Sequence, residues 1–421
     1  MKNNEPIIVG LDIGTTKISV MIGRQDQFGK LEILGMGKAI SGGVLRGIVA
    51  NIDKTVESIK LAVEEAEQKS GVEIKEVYIG IAGQHIKSLQ HRGEMVRDDI
   101  ENEITIEDME KLRENMFKLV TVPGEEVIHV IPQEYTVDGE DGIQDPKGMS
   151  GIKLEANFHI ITAQVAAVRN IFRCVRKAGL VPKDLILEPF ASAVATLDND
   201  ELKEGVALVD IGGGTTDVAI FLDRIIRHTA VIPFGGNVIT KDIKVGLSIL
   251  EKQAELLKVK FGSAMHTSDQ DNVMVSIPGL RGRDPKEISI KNLSEIIGAR
   301  MKEIIDLVYH EIKISGFENK LMTGIVLTGG GSQLRALKQM VSYITGKDVR
   351  VGLPNEHLGK ESHGKITSPM YSTGVGLVLK GFEFLEFKTL EQTGTEKKPK
   401  SIGILDRLKE KLKGFFEEEV T

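Results

Sequence analysis

The sequence predicts an α/β fold of at least two domains in which one structural element occurs twice. Three observations carry this. At 421 residues the chain is too long for a single hydrophobic core. The stretch "PIIVGLDIGTTKISVMIG" near the start is echoed, roughly 200 residues later, by "GVALVDIGGGTTDVAIFL". A third stretch, "GIVLTGGGSQLRALKQMV", reads as a buried strand, a glycine turn and an amphipathic helix.

Each copy of the repeated element has an apolar, β-branched run, an Asp, a Gly–Thr turn and a second β-type run. That pattern predicts a strand–turn–strand hairpin. It is neither GxxxxGK[ST] leading into a helix nor GxGxxG opening one, so two familiar phosphate-binding loops are excluded. Successive backbone N–H groups and Thr hydroxyls in such turns can meet phosphate oxygens. Asp12 and Asp210 end the two first strands. If the halves are related by pseudo-symmetry, these carboxylates face each other across a cleft and suit a hydrated Mg²⁺. Either hairpin alone reads equally as a tight turn that binds nothing.

In the third element Gly329, Gly330 and Gly331 allow close approach to a flat ligand, and Ser332 can cap the helix. In "LILEPFASAVATL", Glu188 leaves a strand just before Pro189 starts a helix. Its carboxylate can orient or deprotonate a water, or cap the helix. In "ILEKQAELLKVKFG", Glu255 and Lys258 share one helical face, as a surface ion pair or as a grip on a ribose and adenine. In "TIEDMEKLRENMFKLV", Thr105 stands at an N-cap with Asp108 three residues on.

Composition narrows the classes. With 41% hydrophobic and 27% charged residues the chain reads as an ordinary soluble protein. A net charge of -7 argues against general nucleic-acid binding. The one cysteine, Cys174, excludes an internal disulfide framework and fits a reducing cytoplasm. "MKNNEPIIVG" has neither a basic nor an apolar leader region, and no apolar run approaches the roughly 18 residues needed to span a bilayer.

Residues 388–403 are polar and aperiodic and read as a flexible linker. Over 404–421, Ile404, Leu405, Leu408, Leu412, Phe415 and Phe416 share one helical face edged by Lys409 and Lys411. Such a helix can cover its own domain, pair with a partner or lie on a membrane. The linker argues against the first, and the Phe residues and basic edges favour an anionic membrane surface. A single copy binds weakly; a filament of copies binds firmly.

Taken in order, "DIGTTK", "EPFASAVA", "DIGGGTTD" and "TGGGS" resemble the phosphate-1, connect-1, phosphate-2 and adenosine motifs of the actin, Hsp70 and sugar-kinase ATPase superfamily. The resemblance implies an actin-like two-lobed ATPase fold around a Mg-ATP cleft. It assigns Gly14, Thr15, Thr16 and Lys17 to the first phosphate loop, and Gly212, Gly213, Gly214, Thr215 and Thr216 to the second. Gly235, Gly236, Glu255, Lys258 and Gly329 to Ser332 go to the nucleoside. Asp12 and Asp210 fall where relatives hold Mg²⁺ through water, and with Glu188 form the catalytic set.

The stretch "VIHVIPQEYTVDGEDGIQDPKGMSGIKLEANFHIITA" resembles the FtsA family of bacterial cell-division proteins, a likeness that extends over residues 6–385. It implies a first lobe from 1–82 and 162–200, a small inserted subdomain at 83–161, and a second lobe from 201–235 and 305–387. It also implies an outer subdomain at 236–304 that takes the C-terminal peptide of the tubulin-like ring protein FtsZ. Lys291 and Arg300 are expected to meet that peptide, with Arg281, Arg283 and Lys302 nearby. The implied protein polymerises, binds other division proteins, hydrolyses ATP slowly and tethers the ring to the inner membrane face. Two rival readings are a metabolic sugar or acid kinase, for which no substrate pocket with a catalytic Asp is identifiable, and an Hsp70-type chaperone, whose β-rich domain has no room after residue 385.

Overall fold

The computed structural model describes residues 6–97, 102–119, 121–266, 268, 271–279, 284–355, 357–359 and 366–392. Its two main sheets have five strands each and the same topology. The first runs, in spatial order, Leu31–Ile40, Lys17–Gln25, Ile8–Ile13, Glu76–Ile81, Val181–Leu187. The second runs Ile225–Ile232, Thr216–Leu222, Val206–Ile211, Ile325–Thr328, Val349–Val351. In each, three antiparallel strands come first and two parallel ones follow. The leading strands are buried throughout or nearly so, as continuous apolar runs should be when helices cover both faces.

The hairpins match residue for residue. Asp12 pairs with Ser19, and Asp210 with Asp217. Each turn closes with the same bond, Gly14 N to Lys17 O and Gly212 N to Thr215 O, both at 3.0 Å.

The insertion forms a separate sheet in the order Ile86–Val96, Lys153–Gln164, Glu125–Val137, Glu140–Ile143. The helix Ile106–Phe117 packs on it through Leu112 and Met116, with Phe158 at the centre of this small core. Its start is the expected one, a reciprocal capping box between Thr105 and Asp108.

The outer part of the second half holds the helices Gly236–Gly246 and Glu251–Phe261, a hairpin of Met274–Ile277 with Lys286–Ser289, and the helix Ile290–Ile314. That last helix crosses the expected boundary at residue 304 without a break, because Ile297, Met301, Ile304, Ile305, Val308 and Ile312 form one buried stripe. The final helix, Ser372–Gln392, was expected with the second lobe, yet Val375, Val378 and Phe382 pack against Ile8 and Met21 of the first. It also continues through 388–392, where a linker was expected, since neither Gly nor Pro interrupts residues 382–392. Residues 393–403 of that linker, and the terminal helix with Ile404, Leu405, Leu408, Lys409, Lys411, Leu412, Phe415 and Phe416, lie outside the described residues.

Candidate functional site

The two matching turns meet tip to tip. A Cβ on Gly213 would fall 1.8 Å from Thr16 Oγ1, and one on Gly214 2.5 Å from Thr15 Oγ1. The second turn therefore has glycine where the first has threonine, and the approach requires it. Thr15 Oγ1 accepts from Gly47 N at 3.1 Å, while Thr16 Oγ1 donates to Asn237 Oδ1 at 3.3 Å across the junction. Asn237 N and Gly236 N in turn donate to Gly213 O and Gly212 O at 2.8 and 2.9 Å.

Beneath the tips lie four carboxyl groups and one ammonium. Lys17 Nζ donates to Asp12 Oδ2 at 2.9 Å and to Ser19 Oγ at 3.2 Å; Ser19 Oγ donates to the same Asp12 oxygen at 3.1 Å. Asp210 Oδ2 accepts only from hydroxyls, Ser192 at 2.9 Å and Thr373 at 3.4 Å. Asp217 Oδ2 accepts from Thr215 at 3.1 Å, and its buried Oδ1 has no hydrogen-bond partner among the described residues. Glu188 stands at the start of the helix Glu188–Thr196, against Gly80.

Burial and mutual repulsion push Glu188, Asp210 and Asp217 toward the protonated form. Desolvation, then Asp12, Asp217 and Asp210, lift Glu188 well above the usual carboxyl range. Asp210 is raised to about 6, chiefly by burial and then by Asp12, against the hydroxyl of Ser192. Asp217 is raised to about 7 by burial and by Asp210. Glu188 and Asp210 are only half-buried, so the low-dielectric walls and the neighbouring charges act on groups that still reach the cleft.

The donor set fits a hydrated Mg²⁺. Asp12 and Asp210 each commit Oδ2 to protein donors, and the Oδ1 atoms take no part in those bonds. Among the described residues no group of three or more Asp, Glu, His or Cys is placed to cage an ion directly. Two carboxylate oxygens suit an ion that keeps most of its waters.

Around this centre the other expected residues converge. Gly329, at φ 80°, passes so close that a Cβ would fall 2.2 Å from Asp210 Oδ1. Gly330 to Gln333 form a 3₁₀ turn, and Ser332 Oγ donates to Gly329 O at 2.8 Å. Ser332 therefore does not cap a helix as expected. The following helix, Leu337–Thr345, starts later, from a left-handed Ala336 with no side-chain cap. Lys258 Nζ bonds Gly236 O at 2.9 Å and Thr240 Oγ1 at 2.7 Å, and pairs with Glu255 at 2.7 Å. It ties its helix to the Gly235–Gly236 turn, a larger role than that of a surface pair.

Lys291 and Arg300 stand apart from this cluster, on the helix Ile290–Ile314. Lys291 bonds Asp271 at 3.1 Å, and Arg300 forks onto Asp242 at 2.6 and 3.2 Å. Arg281 and Arg283 lie outside the described residues; Lys302 pairs with Asp306 one turn on. Sequence reasoning missed Ser19, Asn237, Ser192, Thr373 and Asp217. Asp217 had a signal: it lies seven residues after Asp210, in a turn whose register puts both on one face. Ser192 and Thr373 arrive from distant segments and had none.

Comparisons with known proteins bear on the family and the fold. The family model described as cell division protein FtsA matches residues 207–376, and that of the SHS2 domain inserted in FtsA matches residues 83–162. Cell division protein FtsA of Pseudomonas aeruginosa is 38% identical over 97% of this chain and 98% of its own. That of Escherichia coli K12 is 35% identical over 90% of each, and that of Bacillus subtilis 34% identical over 89% of this chain and 83% of its own. Among solved structures, the PilM–PilN type IV pilus biogenesis complex aligns with a TM-score of 0.65 at 18% identity, covering 89% of this chain and 98% of that one. MreB5 of Spiroplasma citri, bound to ADP, aligns with a TM-score of 0.53 at 15% identity over 93% and 99%. These likenesses make the fold actin-like.

Proposed function

The chain belongs to the FtsA family of cell division proteins, and from that premise we propose that it binds Mg-ATP, self-associates in the actin manner and tethers the FtsZ ring to the cytoplasmic face of the membrane. One observation carries the nucleotide part: two equivalent hairpin turns meet at their tips, over Asp12 and Asp210, each held through Oδ2 by protein donors. Backbone N–H groups of both turns can hold phosphate oxygens from opposite sides. Lys17, Ser192 and Thr373 orient the two carboxylates, and Mg²⁺ would supply the positive charge that the acidic floor needs. The Gly329–Ser332 turn and the Glu255–Lys258 pair flank the place for the nucleoside. The solved MreB5 relatives bound to ADP and AMPPNP support the same reading. Hydrolysis is slow, and ATP acts chiefly to hold the two lobes together.

The peptide of FtsZ meets Lys291 and Arg300. Because Asp271 and Asp242 already hold these cations, an acidic peptide has to exchange with them. No helix among the described residues is long and apolar enough to cross a membrane. Attachment at the division site is assigned to the terminal stripe of Ile404, Leu405, Leu408, Leu412, Phe415 and Phe416 with Lys409 and Lys411, as a peripheral contact multiplied by filament formation. Co-pelleting with anionic liposomes, with and without ATP and the FtsZ peptide, tests the whole chain of events. Pelleting should rise with ATP and disappear in a Phe415→Glu/Phe416→Glu protein that still binds ATP; unchanged pelleting of that variant contradicts the tether.

A further inference from the structure

A short hairpin, Val44–Leu45 with Ile48–Val49, stands between the first phosphate turn and the root of the inserted sheet. Its base is fixed. Val44 and Val49 are buried in the core of the first lobe, and Gly43 O accepts from Ala50 N at 2.8 Å and from Asn51 N at 3.0 Å. Arg46 and Gly47, at φ 51° and 77°, form its tip, the left-handed pair that a tight two-residue turn requires.

That tip touches two parts of the molecule at once. Gly47 N donates to Thr15 Oγ1 at 3.1 Å. A Cβ on Gly47 would fall 2.5 Å from Ala82 O and 2.6 Å from Gly83 Cα, and one on Gly83 would fall 2.9 Å from Arg46 O. Backbone lies on backbone there, with no side chain between to absorb a shift. Ala82 and Gly83 belong to the neck of the inserted subdomain, where the chain leaves the strand Glu76–Ile81 and enters Ile86–Val96. The return crossing is tied to the same place: Gln164 N donates to His85 O at 3.2 Å, and Ile86 N to Gly83 O at 3.0 Å. His85 is 1% exposed, yet neither ring nitrogen has a hydrogen-bond partner among the described residues. Burying them costs free energy, so the neck is held in its seat by its surroundings, the hairpin tip among them.

We propose, on the premise that the site holds Mg-ATP, that residues 44–49 are a positioning segment through which a phosphate at Thr15 fixes the inserted subdomain at its neck. Thr15 Oγ1 accepts from Gly47 N, which leaves the hydroxyl hydrogen for a phosphate oxygen. A phosphate that accepts this hydrogen polarises the hydroxyl and strengthens its bond from Gly47. The second turn lies against the same atom, 2.5 Å from a Cβ on Gly214, so closure of the two lobes bears on Thr15 as well. Because the hairpin is anchored at its base and bare at its tip, a shift at Thr15 passes to the Ala82–Gly83 seat. Linkage makes the effect reciprocal: a seated neck favours the nucleotide by the same factor.

Hydrogen exchange of the full-length protein, with and without saturating Mg-ATP, tests this in peptides covering residues 82–90 and 160–166. ATP should slow exchange there about tenfold in the wild type. Gly83→Ala places its Cβ against Arg46 O; it should still bind ATP within about tenfold of the wild type and lose that slowing. Thr15→Val removes the acceptor, adds nothing at the neck and should show the same loss even if the glycine variant is unstable. Slowing of wild-type size in Thr15→Val overturns the proposal, as does a wild type that binds ATP with unchanged exchange at the neck. Complete loss of ATP binding by a folded Gly83→Ala also overturns it, by making the tip part of the nucleotide site. A wild type that binds no ATP removes the Mg-ATP premise itself, and the role of the segment with it.

Discussion

The two hairpins share strand order, register and turn closure, yet they differ in charge balance. The first carries its own cation: Lys17 Nζ lies 2.9 Å from Asp12, with Ser19 completing the contact. In the second, Thr215 takes the place of Lys17 and Asp217 that of Ser19, so the same backbone holds two carboxyls and only hydroxyl donors. One half arrives neutralised and the other does not. The contrast shows how a duplicated scaffold becomes a cation-dependent site: identical geometry positions the groups, and side-chain identity decides which half lacks charge balance. The tips differ in the same complementary way, glycines facing threonines.

The largest test of this comparison swaps the tips. Gly213→Val puts a branched side chain where even a Cβ would fall 1.8 Å from Thr16 Oγ1, and should weaken nucleotide binding by about 100-fold. The equivalent residue of the first turn, Thr15, should tolerate Gly within several-fold. Equal losses at both positions would mean that the turns are not complementary. A smaller effect is expected from the charges. Lys17→Met leaves Asp12 without its cation among three other carboxyls, and should weaken binding about tenfold and lower Tm. Thr215→Val, at the matching position, removes one neutral hydrogen bond and should cost only about 1 kcal/mol in a denaturation curve.

The smallest effect is one of pH. Asp217 is raised in the folded protein from its ordinary 3.8 to about 7, so the folded state holds an extra proton between those values and stability falls as pH rises through them. Asp217→Asn removes that loss. Its Tm should exceed the wild type's by roughly 3 °C at pH 8 and match it near pH 4. A gain independent of pH would mean that Asp217 is not a strained carboxyl.

Much of this site was legible in the residues. Both hairpins, the Glu188–Pro189 strand-to-helix step and the Thr105 capping box follow from local pattern, because turn chemistry and β-branched runs act over a few residues. What escaped depended on distance. Ser192 and Thr373 reach Asp210 only after folding, and nothing near either residue announces it. The helix Ser372–Gln392 joined the first lobe because its apolar face fits Ile8 and Met21, a choice that period alone does not make. Ser332 was misread for a simpler reason: a Ser after three glycines suits a helix cap and a 3₁₀ turn equally, and the left-handed Ala336 moved the helix start onward.

The central claim is that the uncompensated second hairpin needs a cation, which Mg²⁺ brings with ATP. Titrating ATP by calorimetry with Mg²⁺ and with EDTA, in the wild type and in Asp210→Asn, tests it most directly. Binding should be tight and strongly Mg²⁺-dependent in the wild type, and that dependence should be largely lost in the variant, whose second hairpin has one carboxylate fewer to offset. ATP binding of equal strength with and without Mg²⁺ in the wild type would contradict it.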